Sequence, residues 1–395
     1  LFLLCCRFRF LGGCGDEELY EAMNRLAADG SSGGLNLNGP ETAIAIKTDQ
    51  GKPEQVLPRS AAFSPDGQWL YLTGYTYMGG RSSQDQRWIH GVLRMKFEGN
   101  DKPELFLGSL TPDETGQDDT HFNVPTSVAC DRQGRIYVGD YMNDRIMVYS
   151  PEKKLLKSIQ VEKPGQVVIH QKTQEIYVFS WFMMNPGLYK FERGIKPWLI
   201  HLGTMDDPKE KARHSISLSN YSEKAASDYT GLQYQFELDS WSEPATAWVV
   251  PDKIYSVGGW GVSSDREDLK GTGITLLREK EGKLAVLRDF YSDTVKGVVR
   301  AKPPVLTRQR LYVNPVNGKL YSAEGDGGVM KSFRQLVEIS PDTGKIKLVN
   351  LPMSAEEMAI GLDGCFYLRS DFEVARFDPT SWREIPWDYG EERKA

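Results

Sequence analysis

A polar turn followed by a strand whose apolar pair is centred on tyrosine recurs along this chain. It appears as SPDGQWLYL ending at Leu72, RQGRIYV at Val138, QKTQEIYV at Val178, VPDKIYS at Ser256, NPVNGKLYS at Ser322 and GLDGCFYL at Leu368. The aligned tyrosines are Tyr71, Tyr137, Tyr177, Tyr255, Tyr321 and Tyr367. Short alternating runs bounded by Gly, Asn, Asp and Pro specify half-buried strands joined by tight turns. An apolar strand precedes each turn: AAF at Ala61, SVA at Ser127, VVI at Val167, AWV at Ala247, RLYV at Arg310 and MAI at Met358. A third strand follows each tyrosine strand, in order VLRMKF, RIMVY, GLYKF, ITLLRE, QLVEI and EVARF. Fourth strands read PELFL, LLKSI, PWLIH, LAVLR, KIKLV and REIPW.

A lone four-stranded sheet leaves both faces wet, so such units must pack against one another, and radial repetition leaves only short edges. The expectation is an all-β, six-bladed β-propeller over residues 41–395. From Glu41 to Tyr389 the units average about 58 residues, against about 40–45 for a compact blade, which places the surplus in loops. Thr42–Val56 reads as two outer strands with no inner strands before them. It either closes the last blade, removing a free edge, or belongs to an incomplete seventh.

The unit FNVPTSVACDRQGRIYVGDYMNDRIMVYS resembles an NHL-repeat blade. Its Pro-x-x-Val-Ala-x-Asp, Gly-x-Ile-Tyr-Val-x-Asp and Asn-x-Arg-Ile-x-Val strands, within Phe122–Ser150, carry the likeness. Units one, three and six keep the turn and tyrosine without Asn-Asp-Arg, and units four and five depart further. The resemblance implies a propeller and leaves function open, because propellers host many chemistries.

Residues 1–15, LFLLCCRFRFLGGCG, resemble the tail of an export leader, with Leu11-Gly12-Gly13-Cys14 placed for lipidation of Cys14 and Arg7 and Arg9 interrupting the apolar run. Export to the periplasm, cell surface or exterior is expected. Asp16–Asp29 reads as a short helix with Leu19, Met23 and Leu26 on one face, and the stretch to residue 40 as a flexible linker. No run reaches the roughly 18 apolar residues of a membrane span. A net charge of −6 without a basic stripe argues against nucleic-acid binding.

Function is expected on the loops that enter each innermost strand and those joining second to third strands, which open on one face of a propeller. The entry loops bring Arg59, Thr126, Gln166, Thr246, Arg308 and Glu357 to the channel mouth. The second set brings aromatics including Trp88, Tyr141, Trp181 and Trp260. Aromatic faces beside Arg and Glu suit a sugar, peptide or protein ligand, and the ligand set is Arg59, Gln166, Arg308, Glu357, Trp88, Tyr141, Trp181 and Trp260. A binding or scaffolding protein without a cofactor is the primary reading.

The alternative is an enzyme. His121, preceded by Asp118 and Asp119, is the one catalytic candidate, and Asp119, His121 and Asp140 form an alternative set for calcium or zinc. Gluconolactonase-like hydrolases and amidating lyases share the architecture, and the resemblance implies channel calcium for the first and histidine-bound zinc for the second. Here the mouth carries Arg59 and Arg308 with Glu357 as its acid, a set better matched to an anion than to a hard cation. Cys130 and Cys365 lie on or beside strands of different units and read as buried thiols.

Overall fold

The computed structural model describes residues 44–47, 53–56, 60–78, 86–96, 102–112, 114–180, 198–215, 233–239, 242, 245–253, 275–280, 283–289, 311–314, 316–325, 333–340, 342–343, 345–355, 357–361, 363–369 and 374–386. Among them are 27 strands, paired antiparallel throughout, and one short 3-10 turn at Tyr141–Asn143. No helix of the described residues is long and apolar enough to cross a membrane. The expected helix at 16–29 lies outside the described residues.

The chain is an all-β propeller. After the paired strands β1 (Ile44–Lys47) and β2 (Pro53–Val56), blade 1 is β3 (Ser60–Phe63), β4 (Trp69–Thr73), β7 (Gly91–Lys96) and β8 (Glu104–Gly108). A hairpin of β5 (Thr76–Met78) and β6 (Gln86–Trp88) rises between its second and third strands. Blade 2 is β9 (Pro125–Cys130), β10 (Ile136–Asp140), β11 (Arg145–Tyr149) and β12 (Leu155–Gln160). Blade 3 is β13 (Pro164–Ile169), β14 (Glu175–Ser180), β15 (Trp198–Thr204) and β16 (Glu210–Ser215). Blade 4 is β17 (Gln233–Asp239), β18 (Thr246–Lys253), β19 (Thr275–Lys280) and β20 (Lys283–Asp289). Blade 5 is β21 (Leu311–Val313), β22 (Leu320–Gly325), β23 (Phe333–Ile339) and β24 (Ile346–Ala355). A three-stranded sheet follows, β25 (Glu357–Ile360), β26 (Phe366–Arg369) and β27 (Val374–Phe377).

Three strand assignments differ from the sequence expectation. In blade 3, Trp198–Thr204 is the third strand rather than the fourth, and Glu210–Ser215 is the fourth. In blade 4 the innermost strand is Gln233–Asp239, and AWV lies in the second strand. Pro251-Asp252 makes no turn there, because β18 runs through it to Lys253 and Pro251 pairs with Tyr234 beside a register shift. A bulge is one of the few strand positions that tolerates proline. Thr246 therefore pairs with Asp239 at the turn between the first two strands, opposite the mouth. After β27, the segment read as a fourth strand makes a single bridge, Phe377 to Glu384.

The tyrosine repeat is explained by packing between blades. Tyr71 joins Val92, Phe106, Phe122, Val128, Val138 and Met147 in a core shared by blades 1 and 2. Tyr137 lies with Ile146, Val148, Val167, Ile176, Val178 and Ile200 between blades 2 and 3, and Tyr321 with Leu336, Met358, Phe366 and Leu368 further round. Burying such a side chain is worth about 1.5–3 kcal/mol. The phenol tip still needs a partner, as the Tyr137 hydroxyl finds in Asp131 Oδ2 at 2.8 Å and that of Tyr321 in Glu338 Oε2 at 3.1 Å.

Small hydroxyl side chains stitch adjacent inner strands together. Ser60 Oγ accepts from the Val128 amide, and Ser127 Oγ from the Val167 amide, both at 3.0 Å. Thr126 Oγ1 donates to the Pro164 carbonyl at 2.8 Å, so this expected mouth residue is buried as a tie between blades. On the turns, Asn314 Nδ2 donates to the Gly364 carbonyl at 2.9 Å and His170 Nε2 lies 2.7 Å from the Ser242 carbonyl.

Candidate functional site

The site is built on blade 2. Asp140 ends the second strand and Arg145 begins the third, opposite each other in register. The intervening Tyr141–Asn143 turn closes through Asp144 in the left-handed region, φ 51°, which Asp tolerates better than most residues. Asp140 is 0 % exposed. Its Oδ1 accepts from the Asn123 amide at 2.7 Å, and its Oδ2 from Asn143 Nδ2 and Arg145 Nε, each at 2.8 Å. Burial pushes the Asp140 carboxyl up, against the pull of Asn123, Asn143 and Arg145.

Arg145 uses its remaining donors on the loop above. Nη1 reaches the Gln117 carbonyl at 2.6 Å, and Nη2 the carbonyls of Asp118 at 2.9 Å and His121 at 3.0 Å. Asn143 Nδ2 also donates to the Gly116 carbonyl at 2.7 Å, and the Tyr149 hydroxyl to that of Asp119 at 2.8 Å. Five carbonyls of the segment 116–121 thus point inward to the side chains of Arg145, Asn143 and Tyr149. Its side chains are left outside: Asp118 and Asp119 are exposed and His121 is half-buried.

On that held loop, His121 Nδ1 lies 2.8 Å from Asp118 Oδ2 and 3.1 Å from Thr120 Oγ1. The hydrogen bonds from His121 and Thr120 hold the Asp118 carboxyl well below the usual carboxylate range. A carboxylate on one ring nitrogen orients the imidazole and directs the other outward, an arrangement that serves a hydrogen-bond donor, an acceptor or a base.

The loop's far end is strained. Val124, a β-branched residue at φ 59°, donates its amide to His90 Nδ1 at 3.0 Å and accepts from the Tyr141 amide at 3.2 Å. His90 lies buried with Nε2 2.8 Å from the Pro112 carbonyl, which assigns the proton to Nε2 and leaves Nδ1 as acceptor. A β-branched side chain in this region costs of order 1–3 kcal/mol and persists only where surrounding contacts over-determine it.

The expected site residues fall as follows. Trp88 and Tyr141 are buried together with Val124, and Lys163 Nζ lies 5.6 Å from the Tyr141 ring. Gln166 is half-buried on β13, and Glu357 is the first residue of β25. Arg59, Arg308, Trp181 and Trp260 lie outside the described residues. Of the set Asp119, His121 and Asp140, Asp140 has both oxygens engaged by three donors, one a guanidinium, while Asp119 is exposed and His121 half-buried on the loop above. Among the described residues no group of three or more His, Cys, Asp or Glu side chains could hold a metal. Sequence reasoning passed over Arg145 and Asn143 as site builders, although the Asn-x-Arg spacing marked them.

No family model matches the chain. Among solved structures it is similar to hydrazine synthase of Kuenenia stuttgartiensis, at 15% identity over 84% of this chain and 78% of that one, TM-score 0.46. Virginiamycin B lyase from Staphylococcus aureus matches at 10% identity over 87% and 88%, TM-score 0.44. A protein described as a 6-phosphogluconolactonase from Bacteroides uniformis matches at 11% over 89% and 93%, TM-score 0.44. Similarity at this level says nothing of substrate or reaction, and the assignment to the β-propellers rests on the sheets themselves.

Proposed function

We propose that the chain is an NHL-type, six-bladed propeller that binds a sugar, peptide or protein ligand on the loop face of blade 2. The observation that carries this reading is the loop 116–121, whose backbone is fixed by buried Arg145 and Tyr149 and half-buried Asn143 while Asp118, Asp119 and His121 face outward. Fixing a loop before binding lowers the ordering cost of association, which is what a recognition surface requires. Exposed polar groups on a rigid scaffold are the usual form of such a site. Glycan and peptide arrays probed with the native chain and with the Asp118→Ala/His121→Ala variant test the reading. Signal on one probe class, lost in the variant, is expected; equal signal from both proteins removes the loop from recognition.

The His121–Asp118 contact favours a second reading, a hydrolase or lyase with His121 as general base. Hydrolysis of a δ-lactone probe separates the two. Turnover abolished by His121→Gln would replace the binding reading with the enzymatic one.

A further inference from the structure

A second histidine–carboxylate cluster joins blades 3 and 4, far from the loop of blade 2 in sequence. His201, on β15, is 8% exposed. Its Nε2 lies 2.9 Å from Glu175 Oε2 on β14 of the same blade, and its Nδ1 lies 2.9 Å from Glu279 Oε2 on β19 of the next. The Tyr177 ring stacks on the imidazole, centroids 4.2 Å apart and planes 10° from parallel.

Further charged and titratable groups surround it among the described residues. From β16, Lys211 pairs with the other oxygen of Glu175. Also from β16, His214 Nε2, buried and without a hydrogen bond among the described residues, lies 3.9 Å from Glu279 Oε2. From the turn before β14, Thr173 Oγ1 donates to Glu175 Oε2 at 3.2 Å, and His170 stands beyond Tyr177 at 6.3 Å between ring centroids. Arg213 is paired with Glu210 and Glu162.

A neutral imidazole has one N–H, and the two carboxylates at hydrogen-bonding distance call for two. With one proton, the bare nitrogen would turn its lone pair on a carboxylate inside a poorly hydrated seam. As imidazolium, His201 donates to both and, with Lys211, balances the two glutamates. The Tyr177 face favours the cation as well. Burial alone would raise the Glu175 carboxyl, but Lys211 and His201 outweigh it and hold it below its ordinary value. Burial lowers the His214 imidazole, opposed by Glu279.

We propose that His201 is a proton-operated clamp between blades 3 and 4, tying Glu175 to Glu279 as the imidazolium and releasing Glu279 when it loses its proton. The outer strands β16 and β20 approach each other across the same seam, so release loosens the outer half of this junction. The stabilisation belongs to the protonated histidine. It is present on the acid side, as long as the glutamates stay ionised, and is lost when the imidazole gives up its second proton.

Hydrogen exchange of the full chain, with intrinsic rates corrected for pH, tests this by comparing amides of Trp198–Thr204 and Lys283–Asp289 at about pH 5.5 and about pH 8.5. Protection about tenfold lower at the higher pH is expected for the native chain, the size of effect that loss of one buried charged contact produces. Glu279→Gln presents an amide that can pair with either ring form, and should erase the difference; His201→Gln should do the same. Equal native protection at both pH values, or a drop that persists in Glu279→Gln, overturns the clamp. Should His201→Gln fail to fold, the Glu279→Gln comparison decides alone.

Discussion

Replacing Arg145 with alanine should do two separable things, and the structure sets the size of each. The substitution removes a cation that touches Asp140 and the donors to the carbonyls of Gln117, Asp118 and His121. Breaking a buried ion pair by deleting one partner costs about 3–5 kcal/mol, because the remaining charge is stranded. Asp140 keeps the Asn123 amide and the Asn143 side chain as donors, which points to the lower end, about 3 kcal/mol. The three carbonyls belong to the surface loop and can be rehydrated when it lifts, so their loss appears as local opening rather than global instability.

Urea unfolding followed by tryptophan fluorescence reads the first effect, and hydrogen exchange over 114–124 reads the second. A milder companion sharpens the test: in Asp140→Asn/Arg145→Met neither charge is left unpaired, so global stability should recover much of the loss while the loop stays unprotected. The reasoning is refuted if Arg145→Ala costs less than about 1 kcal/mol, or if the loop keeps native protection in both variants.

Three further outcomes follow from the geometry. Burial, reinforced by Asp239, raises the Glu237 carboxyl from 4.5 to about 8 against an amide contact from Val313. The folded chain then holds a proton that the unfolded chain releases, so stability should fall as pH climbs from about 4.5 to about 8, and Glu237→Gln should flatten that slope in denaturation curves. Gly108 adopts φ +76°, and a Cβ there would run into the His90 carbonyl and the Phe122 ring, so Gly108→Ala should cost about 2–4 kcal/mol in urea unfolding. Tyr137→Phe removes the hydroxyl that Asp131 accepts while leaving that carboxylate paired with Arg135, and should cost about 1 kcal/mol in the same measurement.

How much of this was legible in the sequence depended on how far apart the interacting residues lie along the chain. Each aligned tyrosine among the described residues, Tyr71, Tyr137, Tyr177, Tyr321 and Tyr367, does occupy the second strand of its sheet, because a turn and its flanking strands are a local pattern. Blade 4 escaped that reading when Pro251-Asp252 imitated a turn at what is a bulge between long strands, and the pairing that reveals it lies with Tyr234. The same rule separates the two histidine clusters. Asp118 stands three residues before His121, so their association could be suggested by inspection. His201 meets Glu175 across 26 residues and Glu279 across 78, and nothing near it announces either partner. Repeats explain why such contacts arise regardless. Each blade must present one flat face to the next, and a polar side chain caught in that seam is covered by residues from two repeats at once. Deviations from the repeat's apolar pattern at seam positions therefore deserve the same scrutiny as the loops. A charged or imidazole side chain there is held only if the neighbouring blade supplies its complement, as Glu279 does for His201, and this makes the seam the place where protonation can be coupled to the packing of one blade on another.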